Sequence, residues 1–513
     1  MTAAPVVVPA ATENLGRRGA VALGWGVVVS AIKIVITLGV QAALARLLGP
    51  MQFGIFAIGM LVVGLASMFA DIGLATGLVQ KERVTVEDVR FVFSMNLAIS
   101  SCVALVIFLA APVLAAGFKK PEVAGVFRAL APAFVLNALA SVSVSLLRRS
   151  LDYRTIQLAG LAGYIVGFAL VGVPLAWATG SVYSVVAAFV VQSLVTLGLL
   201  YAKTRHVVGL RFNAPASREH LAFGGTVLAT NIVNWAVSSI DRVIIGRLFS
   251  SAQLGLYSAA YNLVYSPVGL LYPNLQSVVF STTARLQREV ERLRSTYLDL
   301  LQSVVLAVFP PFAGLFILAQ PLVLFVYGQR WAGSGALASV FAVMAPFLLV
   351  WAISTPLLWN TGQKTLEAKA QLPFIVIAIG SLILASRKSL LAVGWTAVAL
   401  YAGRTLLIVV LVLRTLRVRP AEAARRLIPG AIMAVAVGGL TLGCDRLLSG
   451  YGAPAPARLL AGLVVIGAVQ LGGVLLAPAM LPFSARRIIG RQTAKRGLIL
   501  RALFERLSAG SER

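Results

Sequence analysis

Two cationic side chains, Lys33 and Arg404, lie within segments that are otherwise apolar. A charge at the centre of a membrane helix costs about 2.5–3.5 kcal/mol, so a cation kept there is expected to meet an anion. The candidate anions are Asp71, Asp241 and a bound ligand. Because acidic residues are few in these segments, their interior is net positive, which favours an anionic solute over a cationic drug. We therefore predict that Lys33 and Arg404 bind substrate.

Short polar side chains form a stripe around the first cation. Ser30, Lys33 and Thr37 are separated by three and four positions, which places them on one face of a helix. A second segment repeats the stripe 201 positions later, at Asn231, Asn234 and Ser238. Polar faces avoid lipid, so these stripes either line a hydrated cleft and bind substrate or form interhelical hydrogen bonds worth about 0.6 kcal/mol each. Both interpretations stay open.

Asp71 is a candidate site for a coupling proton or cation, although pairing with a nearby basic group would also explain it. The chain has no phosphate-binding P-loop, no HExxH and no GxSxG motif. The two cysteines, Cys102 and Cys444, lie far apart in apolar runs and indicate neither a disulfide framework nor a metal site. We therefore expect no enzymatic activity, no catalytic residues, no metal and no cofactor.

The segments that carry these residues are membrane spans. The mean hydropathy is +0.91, and only 12% of the 513 residues are charged, against about 25% in soluble proteins. A span needs about 20 apolar residues. Hydropathy predicts about fourteen spans, which begin near residues 21, 53, 90, 123, 155, 182, 221, 253, 297, 334, 365, 390, 427 and 457. The fold class is therefore an all-α polytopic membrane protein.

Basic residues predict the orientation of the spans. Most of the 44 Lys and Arg residues fall in alternate loops, which the positive-inside rule places in the cytoplasm together with both termini. The net charge of +27 is explained by basic loops that face anionic lipid, so we expect no nucleic-acid partner. The predicted location is therefore the plasma membrane, which the chain crosses many times.

One motif occurs twice. ARLLGPMQFGIFA at 45–57 returns as GRLFSSAQLGLYS at 246–258, an offset of 201 residues. Six spans separate the copies, so both have the same topology and form parallel repeats, an arrangement found in transporters. We predict an alternating-access carrier, and a duplication that now serves only packing is the alternative.

The offset also predicts the domain boundaries. They are an N-terminal lobe of six spans at 1–203, a cytoplasmic linker at 204–219, a C-terminal lobe of six spans at 220–415, two further spans at 427–481 and a basic cytoplasmic tail at 484–513.

Five motifs are distinctive: RLLGPMQFGIFAIGML, FADIGLATGLVQ, LLRRSLDYR, SIDRVIIGRLFSSAQLGLYSAAYNL and FAGLFILAQPLVLFVYGQRW. They resemble the polysaccharide and O-antigen flippases of the colanic-acid-exporter type, within the multidrug/oligosaccharidyl-lipid/polysaccharide exporter superfamily. The resemblance covers residues 15–415. It implies two helical lobes in a V shape around a cationic cavity.

The resemblance also implies a function. Such proteins move undecaprenyl-pyrophosphate-linked oligosaccharide units from the cytoplasmic to the periplasmic leaflet for exopolysaccharide or O-antigen synthesis. Family members carry functional basic residues in the first span, and Lys33 fits that position. The last two spans are expected to offer a groove for the polyprenyl tail. Expected partners are the lipid-linked oligosaccharide, membrane lipids, a polysaccharide polymerase and a chain-length regulator, and the expected state is a monomer.

Two other functions remain open. A multidrug cation antiporter of the same superfamily would need acidic residues facing its cleft, and this chain has few. A membrane-embedded polysaccharide polymerase or ligase would carry catalytic residues in a large outer loop, and the predicted outer loops are short.

Overall fold

A computed structural model describes residues 15–70, 78, 84–212, 232, 235–236, 238–287, 289–477 and 480–482, with the side chains of residues 15–34, 69, 70, 270, 364, 368 and 372 excluded. These ranges are helical and contain no strand. Twelve helices are named here in chain order. They are α1 (Leu15–Ala70), α2 (Val86–Phe118), α3 (Val123–Arg149), α4 (Tyr153–Thr179), α5 (Tyr183–Thr204), α6 (Ser251–Leu286), α7 (Val290–Tyr327), α8 (Ser334–Asn360), α9 (Lys364–Ser386), α10 (Leu390–Thr415), α11 (Pro420–Gly450) and α12 (Ala455–Leu476).

The predicted class is confirmed. Eleven helical segments within the described ranges are long and apolar enough to cross a membrane, so the chain is a multi-pass membrane protein. The predicted number of about fourteen spans is not established. The span predicted near Leu221 falls largely outside the described residues, and the first two predicted spans form one element, α1. Helix α6, which corresponds to the span predicted near residue 253, is not among the eleven.

Helix α1 contains a single break, which coincides with the repeated motif. Gly49 has φ 72° and ψ 175°, a conformation that L side chains rarely adopt. Pro50 follows and begins a new helical run, where its missing N–H is not needed and its fixed φ is already helical. The Gly-Pro pair therefore joins the two predicted spans without a loop between them.

The chain divides into two compact units, Met1–Ser258 and Ala259–Arg513. The division falls within α6, while the predicted boundary at 204–219 lies partly outside the described residues and stays a prediction. In the first unit α3 packs against α1, α2 and α5. Asn96 Nδ2 donates to Ser141 Oγ over 2.9 Å, and Asn137 Nδ2 donates to Ser193 Oγ over 3.1 Å. The polar face of α3 therefore serves interhelical hydrogen bonding.

Helix α7 is the centre of packing in the second unit. It contacts α8, α11 and α12. At one end Arg294 pairs with Glu422, and Arg426 lies 3.3 Å from an Asp299 oxygen. Further along, Gln470 Nε2 donates to the Leu306 carbonyl over 2.8 Å. These polar contacts attach α11 and α12, the last two predicted spans, to the unit.

The two copies of the repeated motif lie against each other within the first unit. A Cβ atom at Gly54 would lie 1.6 Å from the Ser251 carbonyl oxygen, and one at Gly255 would lie 1.9 Å from the Pro50 carbonyl oxygen. Both glycines are thus required for the backbones to approach. Positions 50 and 54 become 251 and 255 on adding 201, so the contact is reciprocal between the copies.

Hydrogen bonds hold the segment around Phe249 and Ser251, next to this contact. Lys120 Nζ donates to the Phe249 carbonyl over 2.7 Å, and Ser251 Oγ donates to Glu122 Oε1 over 3.2 Å. Gln52 of the first copy accepts a hydrogen bond of 3.1 Å from the Val182 backbone N–H. Loops that follow four successive odd-numbered spans therefore meet at one face of the first unit.

Candidate functional site

Arg404 lies in a polar cluster within the second unit, and three further helices supply its neighbours. Arg404 comes from α10, Trp351 from α8, Gln371 from α9 and Tyr272 from α6. Helix α10 packs against both α8 and α9, which brings together residues that are 33 and 53 positions apart in sequence. The cluster is therefore a product of helix packing and has no local sequence motif.

The Arg404 guanidinium is held in place by an aromatic face and an amide. Its Nε donates to Gln371 Oε1 over 2.6 Å. Its Cζ lies 4.4 Å from the centre of the Trp351 ring, which is a cation–π contact. The Trp351 ring stacks in turn on Tyr272, with centroids 5.7 Å apart and planes at 21°. The planar donor group is thereby fixed in one orientation.

Glu367 is the acidic member of the cluster. It is 5% exposed. Its carboxylate accepts hydrogen bonds from Trp359 Nε1 over 2.5 Å and from Gln371 Nε2 over 2.8 Å. The Gln371 amide thus bridges the two charges, since its carbonyl faces Arg404 and its NH2 group faces Glu367. This orientation places each end of the amide dipole against the charge that it stabilises.

Donor groups remain available in the cluster. Within the described part of the chain, no residue accepts a hydrogen bond from the two terminal amino groups of Arg404. The Trp351 Nε1 is buried and has no hydrogen-bond partner there. A guanidinium with free planar donors suits the bidentate binding of phosphate or carboxylate. Aromatic rings beside it supply an amphipathic wall, so the cluster can bind an anionic ligand with a bulky polar substituent.

Among the predicted site residues whose side chains the structure describes, Arg404 alone lies in this cluster. Ser30 and Lys33 lie in α1, at positions whose side chains fall outside the described part of the structure. Thr37 is half-buried in the same helix, and its carbonyl accepts a hydrogen bond of 3.4 Å from the Tyr164 hydroxyl. Ser238 is exposed and donates to the Trp235 carbonyl one turn earlier. Asn231, Asn234 and Asp71 lie outside the described residues.

The sequence patterns missed the partners of Arg404. Glu367 and Gln371 lie one helical turn apart at the start of a predicted span, and a carboxylate there is a signal of the same kind as Arg404 itself. Tyr272 lies seven positions beyond Tyr265, on the same helical face. Trp351 gives no signal, because a tryptophan in an apolar span is ordinary.

Asp241, the other candidate partner for a buried cation, lies in the first unit and has a structural role there. Its carboxylate accepts a hydrogen bond of 2.7 Å from the Tyr257 hydroxyl, and both residues are buried. Arg242 Nε lies 3.9 Å from the other carboxylate oxygen. Asp241 therefore joins the helical segment that contains it to α6, which contains Tyr257.

An apolar groove lies on the second unit between α7 and α12. Its volume is about 390 Å³. Its walls include Pro311, Phe312, Phe325, Pro456, Leu459 and Leu463. The last two predicted spans were expected to form a groove with each other. The observed one instead joins the last span to α7, because α7 packs along both α11 and α12.

The pattern of a family described as "Polysaccharide biosynthesis protein" matches residues 43–336, more than half of the chain. The chain belongs to this family. Membership confirms the relationship that the five motifs predicted. The matched range includes both copies of the repeated motif and α7, and it ends before Trp351, Glu367 and Arg404.

Two relatives carry names that refer to the biosynthesis of cell-surface polysaccharides. "Lipopolysaccharide biosynthesis protein WzxC" of Escherichia coli (strain K12) is 24% identical over 314 residues, 60% of this chain and 63% of that protein. "Succinoglycan biosynthesis transport protein ExoT" of Rhizobium meliloti (strain 1021) is 27% identical over 341 residues, 66% of this chain and 69% of that protein. The matched part thus spans less than two thirds of the length of the Escherichia coli relative.

Solved structures share the fold. "Lipid II flippase MurJ, inward closed conformation" has a TM-score of 0.67 at 13% identity and covers 86% of this chain and 98% of its own. An inward-facing "multidrug resistance MATE family transporter of the MOP superfamily" has a TM-score of 0.55 at 15% identity and covers 77% and 96%. At such low identity the likeness is one of fold alone.

Proposed function

We propose that this protein is a flippase that moves a lipid-linked oligosaccharide, joined through a pyrophosphate, from the cytoplasmic to the periplasmic leaflet of the bacterial plasma membrane by alternating access. The observation that carries the proposal is the half-buried Arg404, which stacks on Trp351 and has free planar donors. A pyrophosphate needs such a cation, and a sugar chain needs aromatic and hydrogen-bonding walls. Family membership supports a role in polysaccharide synthesis.

The apolar groove supports the lipid part of this substrate. A polyprenyl tail is hydrocarbon, and the groove between α7 and α12 is lined by aliphatic and aromatic side chains. Both wall helices belong to the same unit as Arg404. The tail would stay in contact with the bilayer there while the polar head enters the protein. Lys33 stays in the proposal as a second cation for the pyrophosphate.

The remaining expectations are part of the same proposal. The chain acts as a monomer with both termini in the cytoplasm, and it passes its cargo to a polysaccharide polymerase and a chain-length regulator. It performs no bond-breaking chemistry of its own, in keeping with the transport names of its relatives.

A complementation experiment tests the proposal. Cells that lack the gene should accumulate lipid-linked oligosaccharide on the cytoplasmic face and lose surface polymer, and the wild-type gene should restore both. Arg404→Ala should lower transport by at least about tenfold, since a desolvated cation–π and phosphate contact is worth about 2 kcal/mol or more. Arg404→Lys keeps the charge but loses the planar fork, so its transport should be intermediate.

Arg387→Ala is the matched control, because this arginine is exposed just beyond the end of α9, whereas Glu367 and Gln371 lie near the start of that helix. It should restore polymer fully. An unchanged lipid-linked pool in the deletion strain would reject the proposal. Increased drug sensitivity of the same strain would favour the multidrug antiporter instead.

A further inference from the structure

Arg404 and Glu367 form a charge-neutral pair without touching each other. The Gln371 side chain stands between them, 2.6 Å from Arg404 Nε through its carbonyl and 2.8 Å from Glu367 Oε1 through its NH2 group. Within the described residues no nitrogen of Arg404 lies within 4.0 Å of a Glu367 oxygen. An anion can therefore reach the Arg404 amino groups without first displacing the carboxylate.

From this arrangement we infer that Glu367 is the carboxylate whose protonation is linked to anion binding at Arg404: it takes up a proton when an anion binds there and releases it when the anion leaves. The inference rests on the proposed function, because it assumes that Arg404 binds a pyrophosphate. It places a proton site in the second unit, separate from Asp71, the predicted candidate for the coupling ion.

The charge balance of the cluster gives the direction of the effect. Arg404 is the charged group whose field acts on Glu367. Among the described side chains, the other titratable groups near the pair are Tyr272 on α6 and Tyr401 on α10, and a tyrosine is neutral at ordinary pH. The side chain of Lys364, one turn before Glu367 on α9, lies outside the described part of the structure. Helix α8 contributes Trp351 and Trp359, which do not titrate, and Lys369 on α9 is exposed. Few groups besides Arg404 can compensate a change of charge on Glu367.

An incoming pyrophosphate diester carries two negative charges that hardly change near neutral pH. The Arg404–Glu367 pair is neutral before the anion arrives. With the anion bound, the site carries a net negative charge, and its carboxylate is buried. Like charges at short range in such surroundings oppose ionisation, so the proton that neutralises Glu367 is favoured. Linkage is reciprocal, which means that protonation of Glu367 must also tighten anion binding by the same factor.

Gln371 can accommodate the proton. In the unliganded arrangement its carbonyl is engaged by Arg404 and its NH2 group by Glu367. Once an anion holds the guanidinium, the amide is free to turn by half a rotation. Its carbonyl then accepts the O–H of protonated Glu367, while Trp359 Nε1 still donates to the second carboxyl oxygen. The NH2 group then points toward Arg404, so it and the Arg404 Nε–H both take the bound anion as their acceptor.

The experiment measures proton uptake on binding to the purified full-length protein. The probe is a geranyl-pyrophosphoryl-N-acetylglucosamine diester, whose charge is constant between about pH 5.5 and 8.5. Calorimetric titration in two buffers of different protonation enthalpy counts the protons bound per probe. The wild-type protein should take up as much as one proton, and its affinity should fall by up to about tenfold per pH unit as Glu367 ionises.

Variants separate this carboxylate from all others. Glu367→Gln mimics the protonated form, so it should bind the probe without proton uptake and with an affinity independent of pH. Glu291→Gln is the matched control, because this glutamate in α7 is 86% exposed. It should show the wild-type proton count. Proton uptake that persists in Glu367→Gln would overturn the inference.

The outcomes also separate the inference from the proposed function. Wild-type protein that binds the probe without proton uptake at any pH would overturn the inference and leave the proposed function intact, whether or not the variants fold. Wild-type protein that does not bind the probe across the pH range would overturn both.

Discussion

Buried charge at the scale of single residues is handled in two ways in this protein. Asp241 accepts a hydrogen bond from the Tyr257 hydroxyl, and Arg242 Nε lies 3.9 Å from its other carboxylate oxygen. Arg404 is satisfied only in part, because Gln371 engages Nε while its amino groups have no described acceptor. The first arrangement is structural, because the buried carboxylate binds a buried tyrosine of another helix. The second keeps donors in place for a ligand, which is the property expected of a binding site.

The structural role of Asp241 can be tested at its partner. Tyr257→Phe removes a donor from a buried carboxylate, which should lower the free energy of unfolding by about 1–3 kcal/mol. Thermal unfolding in detergent would show this as a lower melting temperature. Tyr451→Phe is the control, because Tyr451 is 88% exposed and should melt like the wild type. Equal melting of both variants would contradict a structural role for this hydrogen bond.

At the scale of elements, the repeated motif determines how closely two helices approach. The helical run that begins at Pro50 and helix α6, which begins at Ser251, meet through Gly54 and Gly255. Each glycine faces the first carbonyl of the other helix. Removal of the side chain at both positions is what permits backbone contact, as small residues do between membrane helices generally. The presence of a glycine at the same position of both copies thus has a steric reason.

Adding one methyl group to this contact should be costly. Gly255→Ala would place a Cβ 1.9 Å from the Pro50 carbonyl oxygen, so the two helix starts must separate. We expect a loss of about 1–3 kcal/mol in the free energy of unfolding, measured by thermal unfolding in detergent.

The control for this substitution is Gly472→Ala within α12, where nothing lies within 4 Å of the added atom. Alanine favours a helix over glycine by up to about 1 kcal/mol, so this variant should be as stable as the wild type or more stable. If the melting temperature of Gly255→Ala equals that of Gly472→Ala, the two helices do not meet as described.

At the scale of the whole molecule, the first residues of the predicted linker at 204–219 pack against a helix of the first unit. Residues 205–212 run along α2, where Ser94 Oγ accepts from the Arg211 N–H over 2.7 Å and Arg211 pairs with Glu87 at 3.0 Å. His206 packs on the rings of Tyr201 and Phe93. Burial lowers the pKa of His206, since it penalises the charged imidazolium.

This burial predicts how stability depends on pH. Below about pH 6.5 the histidine of the unfolded chain binds a proton that the folded chain resists, so stability is full above that pH and falls as the pH drops below it. Melting at pH 7.5 and pH 5.5 should differ more in the wild type than in His206→Phe. If the difference in melting temperature between the two pH values is the same in His206→Phe as in the wild type, His206 does not cause the pH dependence.

The sequence by itself determined that the chain spans a membrane many times, that it carries a repeat offset by 201 residues and that Arg404 needs a partner. These properties are local: the cost of a charge in an apolar helix and the period of hydropathy depend on residues close together in the chain. The partners depended on tertiary structure. Gln371, Trp351 and Glu367 reach Arg404 only because α8 and α9 pack on α10, and Gly54 meets Gly255 only because two distant helix starts approach. Packing between helices sets such distances, and no spacing in the sequence encodes which helices become neighbours.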